Sequence, residues 1–471
     1  MNFNQPIFLF FFLPLVLLLY AALGKRCKNV LLLAASLAFC AWDDGVSLLV
    51  ILASIIMNYA FGLALVRWRD WDKAILAVAL SADIALLAWF KYADFAVENF
   101  NHLLDFFNLP TQPPPHTHLP LGISFFTFQV MSYLIDIYRR QIVPQNNPLN
   151  FSLYVALFPK MVAGPIARYQ QIIRDIEHRP ISLADFAAGA RRFVIGLGKK
   201  ILIADVLAKA VDICFGLPAA QLSAAMAIFG AIAFTLQIYY DFSGYSDMAI
   251  GLGRMFGFRF PENFDHPYHA LSIREFWQRW HMTLSSWFRD YLYIPLGGNR
   301  SGAFATGRNL LAVFLLCGLW HGANWTFVCW GLWHGLFLIL ERPAAIRRWF
   351  ARTPQLFRHL YAMTVVTVGW VLFRADSLSQ AGDYLGAFTR LSTPNPWNTQ
   401  IFLVMNNELW LTFALALLVA SPLSRSLAHV LVRRQGLVAQ GLSFCFFAFV
   451  FLYSLASLSG MTHHPFLYSR F

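Results

Sequence analysis

The chain has 471 residues, of which 58% are hydrophobic and only 13% charged, whereas soluble domains carry about 45–50% apolar and about 25% charged residues. That balance excludes an ordinary soluble globular protein. The net charge of +12, from 36 Lys+Arg against 24 Asp+Glu, falls largely in short loops between apolar runs, which fits the positive-inside bias of a membrane protein and speaks against nucleic-acid binding.

Several runs approach the ~20 apolar residues that a bilayer span needs, and they lack the alternation of barrel strands. The predicted fold class is an all-α polytopic membrane protein, with one membrane domain over residues 1–471 and no soluble domain. Spans or membrane-embedded helices are expected near residues 7–23, 30–65, 74–92, 119–138, 149–166, 186–214, 223–252, 308–340, 360–375, 400–420 and 438–460. The first reads as a span and not as a leader, because no basic segment precedes it and no A-x-A site follows. The 30–65 block is long, and Asp43, Asp44 and Gly45 are expected to break it into a hairpin.

Loop charge sets orientation. Lys25, Arg26 and Lys28, then Arg67, Arg69 and Lys73, mark two cytoplasmic loops and place the N-terminus outside. Ala93 to Leu119 holds no Lys or Arg and carries Asp94, Glu98, Asp105 and the Pro113–Pro115 run, so it is expected to face outward. Arg139 and Arg140 return the chain to the cytoplasm. Two apolar stretches are unusual. Pro120–Tyr138 contains Gln129 and Asp136, and Phe158–Tyr169 contains Lys160, Gly164 and Pro165. Polar groups and helix breakers at membrane depth belong where they line a cavity or are buried in protein.

Tyr239–Asp247, YYDFSGYSD, puts hydroxyls and acids after an apolar run. Asp241 and Asp247 are expected to hold hydrogen bonds or to pair with Arg, as structural groups or as pocket lining. The longest non-spanning stretch is Arg254–Arg308, with seven Arg, no Lys and four acids among Trp277, Trp280, Trp287, Tyr291 and Tyr293. Guanidinium binds phosphate bidentately and stacks on aromatic rings. An interfacial helix set with snorkelling Arg fits the same pattern.

Of 13 histidines, His102, His116, His118, His463 and His464 read as solvated. His178, His359 and His429 stand in basic loops and receive no role. His266 and His269 are spaced for half a metal site, but no third ligand motif completes it, so no metal is expected. His281, in RWHMTL, and His321, in GLWHGANWTF, remain, with His334 a weaker third. No charged residue occurs from Asn309 to Leu340, so His321 is an ionisable group in the middle of an apolar segment and a functional candidate. No G-x-S-x-G, H-E-x-x-H or Walker A motif competes. The six scattered cysteines contain no C-x-x-C and read as buried free thiols.

The stretches PLGISFFTFQ (Pro120–Gln129), FPKMVAGPIARY (Phe158–Tyr169), YYDFSGYSDMAIGLG (Tyr239–Gly253), FGFRFPENFDHPY (Phe256–Tyr268), REFWQRWHMTLSSWFRDYLYIPLGGNR (Arg274–Arg300), GLWHGANWTF (Gly318–Phe327), LFRADS (Leu372–Ser377) and PFLYSRF (Pro465–Phe471) together resemble the membrane-bound O-acyltransferase family, in its bacterial alginate O-acetyltransferase branch. The resemblance implies about eleven membrane helices around a central tunnel, with a catalytic core near 119–340. It implies that His321 is catalytic and that His281 is a second functional histidine near the cytoplasmic mouth. The acyl donor, expected to be acetyl-CoA, enters from the cytoplasm and the acceptor from the other face. The coenzyme A phosphates would then lie against Arg279, Arg289, Trp280 and Trp287, with Asn324, Asp241 and Tyr245 in the pocket. Asn324 or a backbone N–H is the candidate oxyanion donor.

The implied setting is the bacterial inner membrane, beside extracytoplasmic SGNH-type transferases or accessory proteins of an exopolysaccharide machinery. The Phe125–Gln129 segment has the generic family form, which leaves alginate, cellulose or another exopolysaccharide open as the acceptor. Teichoic acid, lipid or protein acceptors are the alternative. A proton-coupled transporter is a further one, although no internal repeat accompanies it.

Overall fold

The computed structural model describes every residue except Asp43, 180–181, 391–400, 403–404, 422–435, 461–465 and 468–471. His429, His463 and His464, and most of the Pro465–Phe471 motif, lie outside the described residues, as does the Asp43 part of the expected hairpin break. Among the described residues every regular element is helical. They fall into two compact units, one of Met1–Ala190 with Met248–Pro261, the other of Arg191–Asp247 with Glu262–Leu467.

Among the described residues six helices are long and apolar enough to cross a membrane: Gly45–Arg67, Arg69–Phe106, Ala224–Met255, Gly302–His321, Gln355–Arg374 and Val438–Ser459. Four shorter apolar helices accompany them, Phe8–Ala22, Ile123–Tyr138, Trp325–Leu340 and Asn407–Ala420. The difference from eleven uniform spans has local causes. The 149–166 stretch is a helix Pro148–Ala156, one turn at Phe158–Met161, and then irregular chain. Gly164 packs so closely there that a Cβ would lie 2.5 Å from Lys160 Cα. The 186–214 stretch is interrupted by a wide π-type segment, Lys199–Ala204.

In the first unit Asp44 ends the break in the 30–65 block by accepting the Ser47 N–H and capping Gly45–Arg67. Several buried polar side chains of this unit are paired. Asn58 Nδ2 donates to Asp83 Oδ1 at 2.8 Å. Lys160, fully buried, donates to Gln129 Oε1 and lies 5.0 Å from the Tyr154 ring centroid. These contacts account for Gln129 and Lys160 in the Pro120–Tyr138 and Phe158–Tyr169 stretches, while Asp136 is buried.

The second unit holds both candidate histidines. Its 308–340 stretch is two helices, Gly302–His321 and Trp325–Leu340, joined by a break at Gly322–Asn324. Gly322 is extended, and Asn324 caps the second helix by accepting the Thr326 N–H at 3.0 Å. The two helices touch backbone to backbone. A Cβ on Gly318 would collide with the Phe327 carbonyl, and one on Gly331 with the Phe314 carbonyl. Small residues at such a seam are how membrane helices approach closely. Below this hairpin, Ile273–Arg279 is capped by Ser272, and its first N–H groups are met by Glu341, which accepts from Ile273 at 2.6 Å and Arg274 at 3.0 Å.

Candidate active site

His321 is the last residue of its helix, not the middle of a span. A helix end frees backbone carbonyls and turns the chain, so the imidazole sits beside a break in the helix. The side chain is 1% exposed. Its ring meets Trp330 edge to face at 4.8 Å, Trp320 at 4.9 Å and Phe373 at 5.4 Å. Gly322 leaves room for the Phe327 ring, which a Cβ would strike.

His281 is fully buried and stands before the helix Met282–Phe288 with φ 42° and ψ 54°. A non-glycine residue in that left-handed region costs on the order of 1–3 kcal/mol, and such strain clusters at functional sites. The flanking chain holds it there. Asp265 N–H donates to Arg279 O at 3.0 Å, Met282 N–H to Asn263 O at 2.9 Å, and Thr283 Oγ1 to Asn263 Oδ1 at 2.9 Å. The ring lies 4.7 Å from Phe242 and 6.1 Å from Trp320. Trp320 therefore touches both histidines, and the structure brings His281 and His321 into one aromatic chamber.

Burial pushes the His281 imidazole down to about 3. The unfolded chain then binds a proton that the folded chain refuses, between about pH 6.5 and 3. Its contribution to stability is complete above the unfolded value and is lost as pH falls through that window. His281→Asn keeps a side chain that tolerates left-handed backbone and removes the titration. The difference in melting temperature, wild type minus variant, is expected to shrink from pH 7 to pH 4.5; a difference constant across that range would contradict the assignment.

His334 is fully buried and accepts the Trp277 Nε1–H at 3.3 Å, with Phe276 stacked at 6.1 Å. Gly369 makes room for its other nitrogen, which would lie 2.7 Å from a Cβ. His334 is thus built into the wall behind the chamber. His266 and His269 stand with ring centroids 6.0 Å apart, and no group of three metal-ligating side chains gathers among the described residues.

The acids of Tyr239–Asp247 find separate partners. Asp247 pairs with Arg192 at 2.8 Å and Lys199 at 2.6 Å. Asp241, 1% exposed, pairs with Lys200 at 2.7 Å, and Lys200 also holds Asp205 at 2.8 Å. The second Asp241 oxygen accepts the Leu467 N–H at 2.9 Å. Phe466 lies 4.6 Å from Lys200 Nζ and meets the Tyr245 ring edge to face at 4.9 Å. Asp241 and Tyr245 therefore share a buried ionic cluster that holds the chain near its C-terminus.

The Arg-rich segment is less open than its composition implies. Arg279 is held by Glu275 at 2.9 Å and Asp265 at 3.6 Å. It lines a cavity of about 430 Å³ with Asp265, Ser272, Arg274, Glu275 and Gln278, where positive and negative side chains balance. Arg289 has a side chain 62% exposed and pairs with its neighbour Asp290 at 2.6 Å. Trp280 is 1% exposed and packed against Trp370 at 4.8 Å and Phe264 at 5.0 Å, so it offers no open face to a base. Trp287 is buried beside Tyr291 at 5.3 Å. Asn324 spends its oxygen on the cap and donates one amide hydrogen to Asp376 O at 2.9 Å, which leaves one hydrogen for another acceptor.

A family model for the membrane-bound O-acyltransferase family matches residues 138–378, half of the chain, and includes both histidines and the ionic cluster apart from Phe466 and Leu467. The chain belongs to the membrane-bound O-acyltransferases. It is 46% identical over 385 residues to the probable alginate O-acetylase of Azotobacter vinelandii, covering 81% of this chain and 76% of that protein. Its identity to the probable alginate O-acetylase of Pseudomonas aeruginosa is 44% over 385 residues, 81% of this chain and 73% of the relative. The peptidoglycan O-acetyltransferase of Helicobacter pylori is 38% identical over 415 residues, 80% of this chain and 78% of the relative.

The chain is thus a multi-pass membrane enzyme that transfers acyl groups to oxygen, and the transporter alternative falls away. The sequence names His321 and His281 as candidates but not the rings packed around them, Trp330, Trp370 and Phe373. It does not name Lys199 and Lys200 either. Two adjacent lysines inside the apolar 186–214 stretch were the available signal.

Proposed function

We propose that this acyltransferase moves an acetyl group from cytoplasmic acetyl-CoA across the bacterial inner membrane for O-acetylation of an exported polysaccharide, with His321 as the general base. The observation that carries the reading is a buried histidine at a helix break, in an aromatic chamber shared with His281, in a chain whose relatives are named as O-acetylating enzymes of alginate and peptidoglycan. His321 takes the proton of the attacking hydroxyl as its oxygen bonds to the thioester carbonyl carbon. The carbon–sulfur bond then breaks, and the thiol leaves on coenzyme A with that proton. Positioning and proton transfer to the imidazole supply this catalysis. The remaining amide hydrogen of Asn324, or a backbone N–H of the break, meets the developing oxyanion.

His281, neutral through burial, positions Trp320 against His321. Among the cationic groups proposed for coenzyme A, Arg289 fits its phosphates best, because its guanidinium is exposed and held by one carboxylate. Arg279 must first exchange its carboxylates for phosphate, and Trp280 serves as core. An extracytoplasmic SGNH-type transferase completes the transfer where the final acceptor lies outside the membrane. The Helicobacter relative makes peptidoglycan glycan the second acceptor to test after alginate.

The protein in nanodiscs, supplied with the extracytoplasmic transferase, acetyl-CoA and alginate or peptidoglycan oligosaccharides, is expected to release free coenzyme A thiol in step with ester formed on the sugar. Thiol release without ester on any glycan, or ester formed only on lipid, would overturn the acceptor assignment.

A further inference from the structure

Three rings stand across the His321 imidazole. Trp330 lies 4.8 Å away with its plane at 88° to the imidazole, Trp320 4.9 Å away at 72°, and Phe373 5.4 Å away at 74°. They come from three helices. Trp320 precedes the histidine on its own helix, Trp330 is on the second helix of the hairpin, and Phe373 is near the end of Gln355–Arg374. All three centroids fall inside the about 6 Å over which an aromatic ring attracts a cation. Perpendicular placement lets the positive edge of one ring meet the negative face of another.

Trp330 is locked in place. It is fully buried. Trp277 meets it edge to face at 5.7 Å, His334 at 5.2 Å and Phe373 at 5.4 Å, and Trp370 stacks on it at 6.1 Å. Two of those neighbours are themselves tied. Trp277 Nε1–H donates to His334 Nδ1 at 3.3 Å, and the His334 ring fits against Gly369, where a Cβ would collide. Gly331, next in the chain, seats the helix against the Phe314 carbonyl. The Trp330 Nε1–H makes no hydrogen bond, so hydrogen bonding does not account for a tryptophan here.

When His321, 1% exposed, takes a proton, its ring edge gains a positive charge away from water. A buried charge is costly unless something compensates it. The indole face is the best aromatic partner for a cation, and the attraction grows where water is excluded. We propose that Trp330 is a positioning residue that acts through His321: its ring holds the imidazole and carries part of the positive charge that comes with the hydroxyl proton. The inference rests on His321 as the general base. No bond to Trp330 forms or breaks. The proton passes from the hydroxyl to His321 and leaves with the coenzyme A thiol, and the indole stabilises the stage between.

The test replaces Trp330 with 5-fluoro-, 5,7-difluoro- and 5,6,7-trifluorotryptophan by nonsense suppression in the full-length protein. Fluorine draws electron density from the ring face and changes its size little. The rate kcat, read as coenzyme A thiol released in the nanodisc assay, is expected to fall in steps, by about tenfold in all at the trifluoro ring. The Michaelis constant for acetyl-CoA is expected to stay within a few-fold. Trp330→Phe, with a weaker face, is expected to follow the same trend, and Trp330→Leu, with none, to lie below it. The fluorinated series at Trp333, whose ring meets Phe337 at 4.7 Å and whose N–H donates to Val365 O, is expected to leave kcat unchanged. A flat or rising series at Trp330, or an equal fall at Trp333, would overturn the proposal. His321→Gln is measured alongside. If it is inactive and the Trp330 series is flat, the role of Trp330 fails by itself. If His321→Gln turns over at more than a tenth of the wild-type rate, the general-base reading fails and this proposal with it.

Discussion

Replacing His321 with Ala is expected to lower the rate of acetyl transfer by about 10²–10⁴-fold, the usual contribution of a positioned general base. The loss belongs in kcat. The Michaelis constant for acetyl-CoA is expected to stay within a few-fold, because the proposed phosphate contacts at Arg289 are separate residues. Truncating a buried ring also leaves a cavity against Trp320, Trp330 and Phe373, so His321→Gln is the companion variant. It keeps most of the volume and lacks the base. Both variants are expected to be inactive, with the Gln protein melting close to wild type. A Gln variant that melts normally and turns over at more than a tenth of the wild-type rate would remove His321 from the chemistry.

Lys200→Met is expected to have the largest effect on folding. Lys200 neutralises Asp205 and Asp241 at 2.8 and 2.7 Å, with its own side chain 2% exposed. Removing one member of a buried ion cluster leaves uncompensated charge and costs about 3–5 kcal/mol. The remaining carboxylates must then take up protons or admit water. The cluster also anchors Leu467 through Asp241 and Phe466 through the ammonium, so contacts near the C-terminus are lost with it. The measurement is recovery of monodisperse protein and its unfolding temperature in detergent. A triple variant with Asp205→Asn and Asp241→Asn is expected to recover much of the loss, since it removes the stranded charge. A Lys200→Met protein that melts within a degree of wild type would show that the cluster contributes nothing to stability.

The membrane class was legible because apolar runs, charged loops and the absence of strand alternation all point the same way. Asp44 and Gly45 broke the 30–65 block where their cap and turn chemistry put the break. The 308–340 stretch was harder. Hydropathy averaged over Gly322, Ala323 and Asn324 hides a helix end, although an N-cap Asn two residues after a Gly is a local signal for one. His321 gained its place from that hidden break. Asp247 met an Arg and a Lys, while Asp241 met Lys200, 41 residues away in sequence, and no periodicity reports such a pairing. Trp280 stands among arginines in the sequence and is expected there to lie against coenzyme A. In the fold its ring faces Trp370, and the side on which an aromatic residue packs is decided by tertiary neighbours that composition does not contain.

The most direct measurement of the central claim is the ester content of the exported polysaccharide, by NMR, from cells that lack the gene or carry wild type or His321→Gln at matched membrane levels. Acetyl esters are expected in wild type alone. Equal ester in wild type and variant would contradict His321 as the base, and a polysaccharide without ester in wild-type cells would contradict the acceptor.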